Sequence, residues 1–228
     1  MPKKHVNSFI GRLSPEKIAQ GMNYARLNAI RLAEDAETLL NLDRFPSACA
    51  LSILSIEESG KISILRGISI AKSDDEITRL WKDYRSHTKK NIMWLFPDLV
   101  IKGGRRLDDF KPIIDPSAEH PYLIDQIKQL SFYTDCLGTG HWLIPSEIID
   151  KDLASHLVLT AKTLSKGSEI TTKEIELWIK HLGGSAMTKE ALLHWYYDMD
   201  IAGLLPPDHN MADLLKFLGF DSENISSD

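Results

Sequence analysis

Glu57 and Lys61 lie four residues apart on a helical stripe that is otherwise apolar. The stripe runs Ala50, Ile53 and Leu54 and resumes at Ile64, Leu65 and Ile68; the i, i+3, i+4 spacing, carried through the gap, lands on the two charges. The glutamate precedes the lysine, which is the favourable order for a pair, and Glu58 stands three residues before the same lysine. Gly60, beside them, would let another helix approach closely. A second segment repeats the anomaly. Ile77, Leu80, Trp81, Tyr84, Ile92 and Leu95 mark a core face, with His87 and Asn91 along it and Lys90 three residues after the histidine. Phe132-Tyr133-Thr134-Asp135, at the end of a further helix, adds a phenol and a carboxylate. Three helices thus offer polar groups to one place. Such a cluster is either a functional site or a buried network whose members satisfy one another and fix the packing. A metal site draws little support, because there is no H-E-x-x-H and the histidines are scattered.

The elements that would position these groups are helical. Ser14-Pro15-Glu16 reads as an N-cap followed by proline at the first helical position, and Ile18, Met22, Ala25, Ala29, Leu32, Ala36, Leu39 and Leu40 recur at helical spacing after it. A second helix is expected over 46–71, and Ser73-Asp74-Asp75-Glu76 opens a third that reaches about Trp94. Residues 97–121, with Gly103-Gly104, Pro112 and Pro116, read as a long irregular basic loop. A fourth helix fits 122–135, Gly138-Thr139-Gly140 breaks the chain, and Pro145 or Asp150 starts a fifth that ends near Gly167. Shorter helices follow to about Phe217, and the tail after Phe220 is expected to fray. No convincing strand pattern appears. The reading is all-α, with a bundle over 14–167 and a small helical extension over 168–220.

Composition narrows the class. Of 228 residues, 43% are hydrophobic and 26% charged, which fits a globular chain able to bury a core. Cys49 and Cys136, without C-x-x-C spacing, fit a reducing compartment rather than a disulfide framework. The basic start Met-Pro-Lys-Lys-His leads into no apolar stretch, and no run is long enough to span a bilayer, so a soluble, cytoplasmic protein is expected. The net charge of −5 argues against general nucleic-acid coating, yet from Arg79 to Arg106 eight basic residues face only Asp83 and Asp98. That stretch suits a polyanion, and a solvated helix face followed by a loop accounts for it equally well.

Several of these residues together resemble the AbiV family of bacterial abortive-infection proteins. The likeness rests on Ala29-x-x-Leu32-x-x-Asp35-Ala36-x-x-Leu39-Leu40, on Phe45-Pro46-Ser47-Ala48 leading to Ile56-Glu57-Glu58-Ser59-Gly60-Lys61, on Arg85-Ser86-His87-x-x-Lys90, and on Phe132-Tyr133-x-Asp135 followed by Trp142 and Pro145. It implies antiphage defence and a HEPN-like helical bundle, a superfamily of dimers that often act as metal-independent ribonucleases. Carried onto this chain, the resemblance makes His87 the general acid/base. Lys90 or Lys61 would stabilise phosphate charge, Glu57 would orient one of them, and Tyr133 and Asp135 would support them. Lys82, Arg85, Lys89, Arg105 and Arg106 would hold an RNA backbone. One departure stands out. The usual HEPN nuclease motif has an arginine between one and two helical turns before its histidine, whereas Arg79 is farther and Arg85 is only two residues away. On a straight helix that places Arg85 about 200° from His87, so it could join the site only across a dimer or from a distorted helix.

Two functions of different kind follow. The first is a latent endoribonuclease that needs no cofactor and arrests growth or translation. The second is a non-catalytic helical module that engages a phage-encoded activator or a host protein, with Trp178, Trp195, Tyr196 and Tyr197 of the extension as its contact residues. A homodimer is expected from the resemblance in either case.

Overall fold

The structure, a computed structural model, describes residues 8–115, 117, 119–184, 188–207 and 209–219. The basic start and the tail after Phe220 therefore lie outside the described residues. α1 (Pro15–Asn41) is capped by the Ser14 hydroxyl, which accepts from the Lys17 amide at 3.3 Å, and proline follows the cap. α2 (Phe45–Ile70) begins after a turn at Leu42-Asp43-Arg44, in which Asp43 takes a φ of 55°. The chain continues as α3 (Asp74–Arg85), α4 (His87–Lys90), α5 (Phe96–Ile101), α6 (Lys111–Ile114) and α7 (His120–Phe132). After the strands β1 (Asp135–Leu137) and β2 (His141–Leu143) come α8 (Pro145–Ile148), α9 (Lys151–Ser165), α10 (Thr172–Leu182), α11 (Lys189–Ile201) and α12 (Met211–Leu218). The fold is all-α apart from that small hairpin.

α1 and α2 pack antiparallel through small side chains. Ala25, Ala29, Ala33 and Ala36 meet a face of α2 that carries Ala48, Cys49 and Ser52, all buried, and the Ser55 hydroxyl donates to the Ala29 carbonyl at 2.7 Å. Because α2 is apolar on nearly every side it takes the centre of the bundle, against α1, α3, α4, α7, α9 and α10. Two apolar clusters form along it. At one end Leu65 and Ile68 pack with Ile18, Met22, Ile77, Trp81, Ile170 and Ile175. At the other, Ile53 and Ile56 pack with Ile124, Ile149, Leu157 and Ala161. Glu57 stands at the seam between them.

The third helix does not run unbroken to Trp94. It stops at Ser86, whose backbone is extended (φ −79°, ψ 130°), and the chain resumes as α4 followed by a 3₁₀ turn over Asn91–Leu95. The break has a packing reason. Lys90 is nine residues beyond Trp81, about two and a half turns, so one straight helix would set the two on opposite faces. Both are buried in the folded chain. The new path also brings the Lys90 backbone against Gly60, where no β-carbon blocks it.

The expected loop over 97–121 is largely helical instead: α5, a 3₁₀ turn at Leu107–Phe110, and α6. Aromatic contacts hold it, with Phe96 stacked on Phe110 at 5.0 Å and Phe110 lying 6.1 Å from Phe217. The fourth helix ends at Phe132 rather than Asp135, because Tyr133 turns extended to lead into the hairpin. Gly138 and Gly140, both at positive φ, make the hairpin turn. Both proposed starts for the fifth helix are used, Pro145 for α8 and Asp150 as the N-cap of α9. No helix among the described residues is long and apolar enough to cross a membrane.

Candidate functional site

Glu57 is 2% exposed and accepts from three cations or potential cations. Its Oε2 lies 2.8 Å from His87 Nδ1 and 3.2 Å from Lys90 Nζ. Its Oε1 receives Lys128 Nζ, which also reaches Asp125 Oδ1 at 2.8 Å. The partners come from two other elements: α4 presents His87 and Lys90, and α7 presents Asp125 and Lys128. The carboxylate and the two lysines are sealed, since Lys90 and Lys128 are also buried. His87 is not; its side chain is 57% exposed. The arrangement is therefore an imidazole at the surface standing on a carboxylate at the bottom.

Charge and burial act against each other at Glu57. Burial raises its carboxyl, but the hydrogen bonds from Lys128 and His87, helped by the nearby ammonium groups, outweigh that and hold it below the usual carboxylate range. The same contest at Lys128 ends with the ammonium favoured: burial lowers it, and Asp125 and Glu57 raise it further. Both partners stay charged. An ionised carboxylate accepts only, so it keeps a proton on His87 Nδ1 and leaves Nε2 as the nitrogen facing solvent. Asn91, fully buried one residue after Lys90, has neither side-chain atom paired among the described residues.

A family model described as AbiV, of the HEPN class, matches residues 17–166. The chain belongs to the AbiV family. It is accordingly a HEPN-type abortive-infection defence protein, and the residues just described lie within the matched part. No curated protein and no solved structure gives a match.

Within this AbiV domain the structure gathers Glu57, His87 and Lys90 from the residues singled out by sequence, and places the others elsewhere. Lys61 pairs with Glu58 at 2.5 Å and lies over the Tyr84 ring, 5.2 Å from its centroid. Tyr133 and Asp135 are exposed beyond the end of α7, Tyr133 beside Phe132 and Asp135 accepting from the Cys136 amide. What α7 contributes is Asp125 and Lys128. Their signal was in the sequence: Ile124, Lys128 and Ser131 share one helical face, and the lysine is a charge on that stripe just as Glu57 is on its own.

Arg85 does not reach His87 despite the break at Ser86. Its guanidinium donates to the carbonyls of Trp81 and Phe9 and lies 5.4 Å over the Trp81 ring. Much of the remaining basic stretch is also internally compensated. Arg79 pairs with Asp83, Lys102 with Asp98, and the Arg105 guanidinium bonds the carbonyls of Val100 and Gly104. Lys82, Lys89 and Arg106 are exposed and make no ion pair among the described residues. Ligand-type atoms of Glu57, His87 and Asp125 lie within 4.8 Å of one another. The Lys128 ammonium already bridges the two carboxylates there, so a divalent ion would have to displace it.

Proposed function

We propose that this chain is a metal-independent endoribonuclease with His87 as its acid/base group. The observation that carries the reading is the exposed imidazole held through Nδ1 by a buried, ionised Glu57. Orientation of a histidine by a carboxylate is what a proton-transferring imidazole needs, since it fixes the tautomer and supports the cation that forms. Nε2 takes the proton from a ribose 2′-hydroxyl as its oxygen bonds to the adjacent phosphorus. The bond from phosphorus to the 5′ oxygen then breaks, and the imidazolium returns the proton to that oxygen. Lys90, three residues beyond His87 and buried at 3.2 Å from Glu57, adds positive charge beneath the imidazole rather than touching the phosphorane. Lys82, Lys89 and Arg106, exposed and without an ion pair among the described residues, suit the phosphate backbone on either side.

The experiment is cleavage of total RNA by purified protein in the presence of a chelator, comparing wild type with His87→Ala. Cleavage that resists the chelator and disappears in a variant of unchanged helicity is the expected result. RNA left intact by the wild type, at protein levels that protect infected cells, would remove the reading.

A second reading, a module that engages a phage or host protein, gains from a different surface than the extension aromatics. Trp178 and Trp195 pack edge to face at 5.2 Å, which spends them internally, while Tyr197 of the same extension stays exposed. The hairpin region instead exposes Tyr133, Leu137, Trp142 and Ile144, with Trp142 69% exposed. Protection that survives His87→Ala and fails with Trp142→Ala would favour this reading.

A further inference from the structure

A cavity of about 410 Å³ lies among α1, α2, the connection from α9 to α10 and the chain that follows α11. Most of its wall is aliphatic, with Ile62, Met93, Leu164, Met199, Leu204 and Leu205. No aromatic side chain lines it among the described residues. The rest of the wall is charged: Arg26, Arg66 and Lys166 stand there with Glu169 and Glu174, three cations against two carboxylates. Arg66 is fixed by its ion pair with Glu174 and lies 5.1 Å over the Trp178 ring. Arg26 spends one nitrogen on the Gly167 carbonyl at 3.2 Å. Neither Arg26 nor Lys166 pairs with a carboxylate among the described residues.

Three of the lining side chains keep a buried donor without a partner among the described residues: Ser59 Oγ, Arg26 Nε and Arg66 Nη1. Buried donors left unpaired are costly, and an acceptor group seated among these side chains supplies what they lack. Charge decides which acceptor. Once the two glutamates are set against the three cations, one positive charge is left, which balances a singly charged anion and leaves a doubly charged one in excess. Shape decides the rest of the molecule. An aliphatic wall with no ring to stack on favours a saturated chain over a planar one. The volume falls in the range of small-molecule sites, roughly 300–1,000 Å³.

We propose that this cavity binds an aliphatic monocarboxylate, a fatty acid of medium chain length. Its carboxylate accepts from Arg26 and Lys166, and its chain lies along Ile62, Met93, Leu164 and Leu204. Glu169 and Glu174 disfavour more highly charged anions. The site does not depend on RNA cleavage, and each can fail without the other.

Isothermal titration of the full chain with octanoate, butyrate and octylamine tests it. Octanoate should bind one to one. Butyrate, with its shorter chain, should bind more weakly by about tenfold or more. Octylamine, with the long chain and the opposite charge, should not bind. Lys166→Gln, at an exposed position, should weaken octanoate by about tenfold or more and leave the melting temperature of the unliganded protein unchanged. Ser63→Phe, which puts a ring on the wall at another exposed position, should block the chain. Absence of octanoate binding at millimolar concentration would overturn the proposal. So would octylamine binding as tightly as octanoate, or uptake of several octanoate molecules that neither substitution reduces, which would be adsorption of a surfactant.

Discussion

The carbonyl oxygen of Lys90 lies 1.9 Å from the point that a β-carbon on Gly60 would occupy. The contact is backbone against backbone, so no side-chain rotation relieves it. Gly60→Ala should therefore push α4 outward and separate Lys90 and His87 from Glu57. A loss of roughly 1–3 kcal/mol is expected from overpacking. For a chain of this size that lowers Tm by roughly 2–4 °C per kcal/mol. Cleavage should fall with it, and an alanine variant with wild-type Tm would show that α4 is not held by this approach.

Removing the central carboxylate has a different signature. Glu57→Gln leaves Lys90 and Lys128 buried without their shared anion, a change that costs about 3–5 kcal/mol when one member of a buried pair is deleted. Chemical denaturation measures it. Adding Lys128→Met to Glu57→Gln should recover part of the loss, since the double variant no longer buries that charge.

Lys61 and Lys128 should behave unequally. Lys61, paired with Glu58 and partly exposed, should cost less than about 1 kcal/mol as Lys61→Ala and leave cleavage intact. Lys128→Ala should cost several times more and disturb the pH–rate profile, because Glu57 loses the ammonium that helps keep it ionised. Equal effects in the two variants would count against the observed geometry.

The pH dependence of stability follows from the directions at Glu57 and Lys128. Glu57 is lowered from 4.5, so its contribution is present above that value and is lost as pH falls through the lower, folded-state one. Lys128 is raised from 10.5, so its contribution is present below that value and is lost as pH rises through the higher one. Melting temperatures measured from pH 3 to 7 should show an acid decline that Glu57→Gln flattens.

The cysteines offer an independent check on packing. Burial pushes the Cys49 thiol up to about 11, against a smaller opposing effect of its Ser131 hydrogen bond, while Cys136 is exposed in the hairpin. Brief alkylation at neutral pH followed by mass spectrometry should label Cys136 alone. Cys49 should react only after denaturant is added.

Much of the bundle was legible because α1 and α2 carry their burial pattern in plain helical periods. Glu57 and His87 stood out for the same reason, as polar side chains on an apolar stripe, with Gly60 and Lys90 close by them in the sequence. The break at Ser86 was not legible, since each half of the segment is a good helix and only the need to bury both Trp81 and Lys90 divides them. The misplacement of Tyr133 and Asp135 has a similar origin. Helical spacing continued past Phe132 on paper, while two glycines downstream decided that the chain would fold back as a hairpin. Lys128 was legible as a charge on the face of Ile124 and Ser131, although its i, i+3 spacing to Asp125 is also that of an ordinary solvated pair.

The break in the chain at Ser86 leaves His87 on a short support of its own. His87 rides on a single helical turn, too short to persist on its own backbone hydrogen bonds. Its place is kept by the grip of Lys90 on Glu57 and by the bare surface of Gly60. Amide protons from Thr88 to Leu95 should then exchange with solvent sooner than those of α2, as a small unit that opens by itself. Such exchange would mean that the histidine site opens and re-forms while the bundle beneath stays folded.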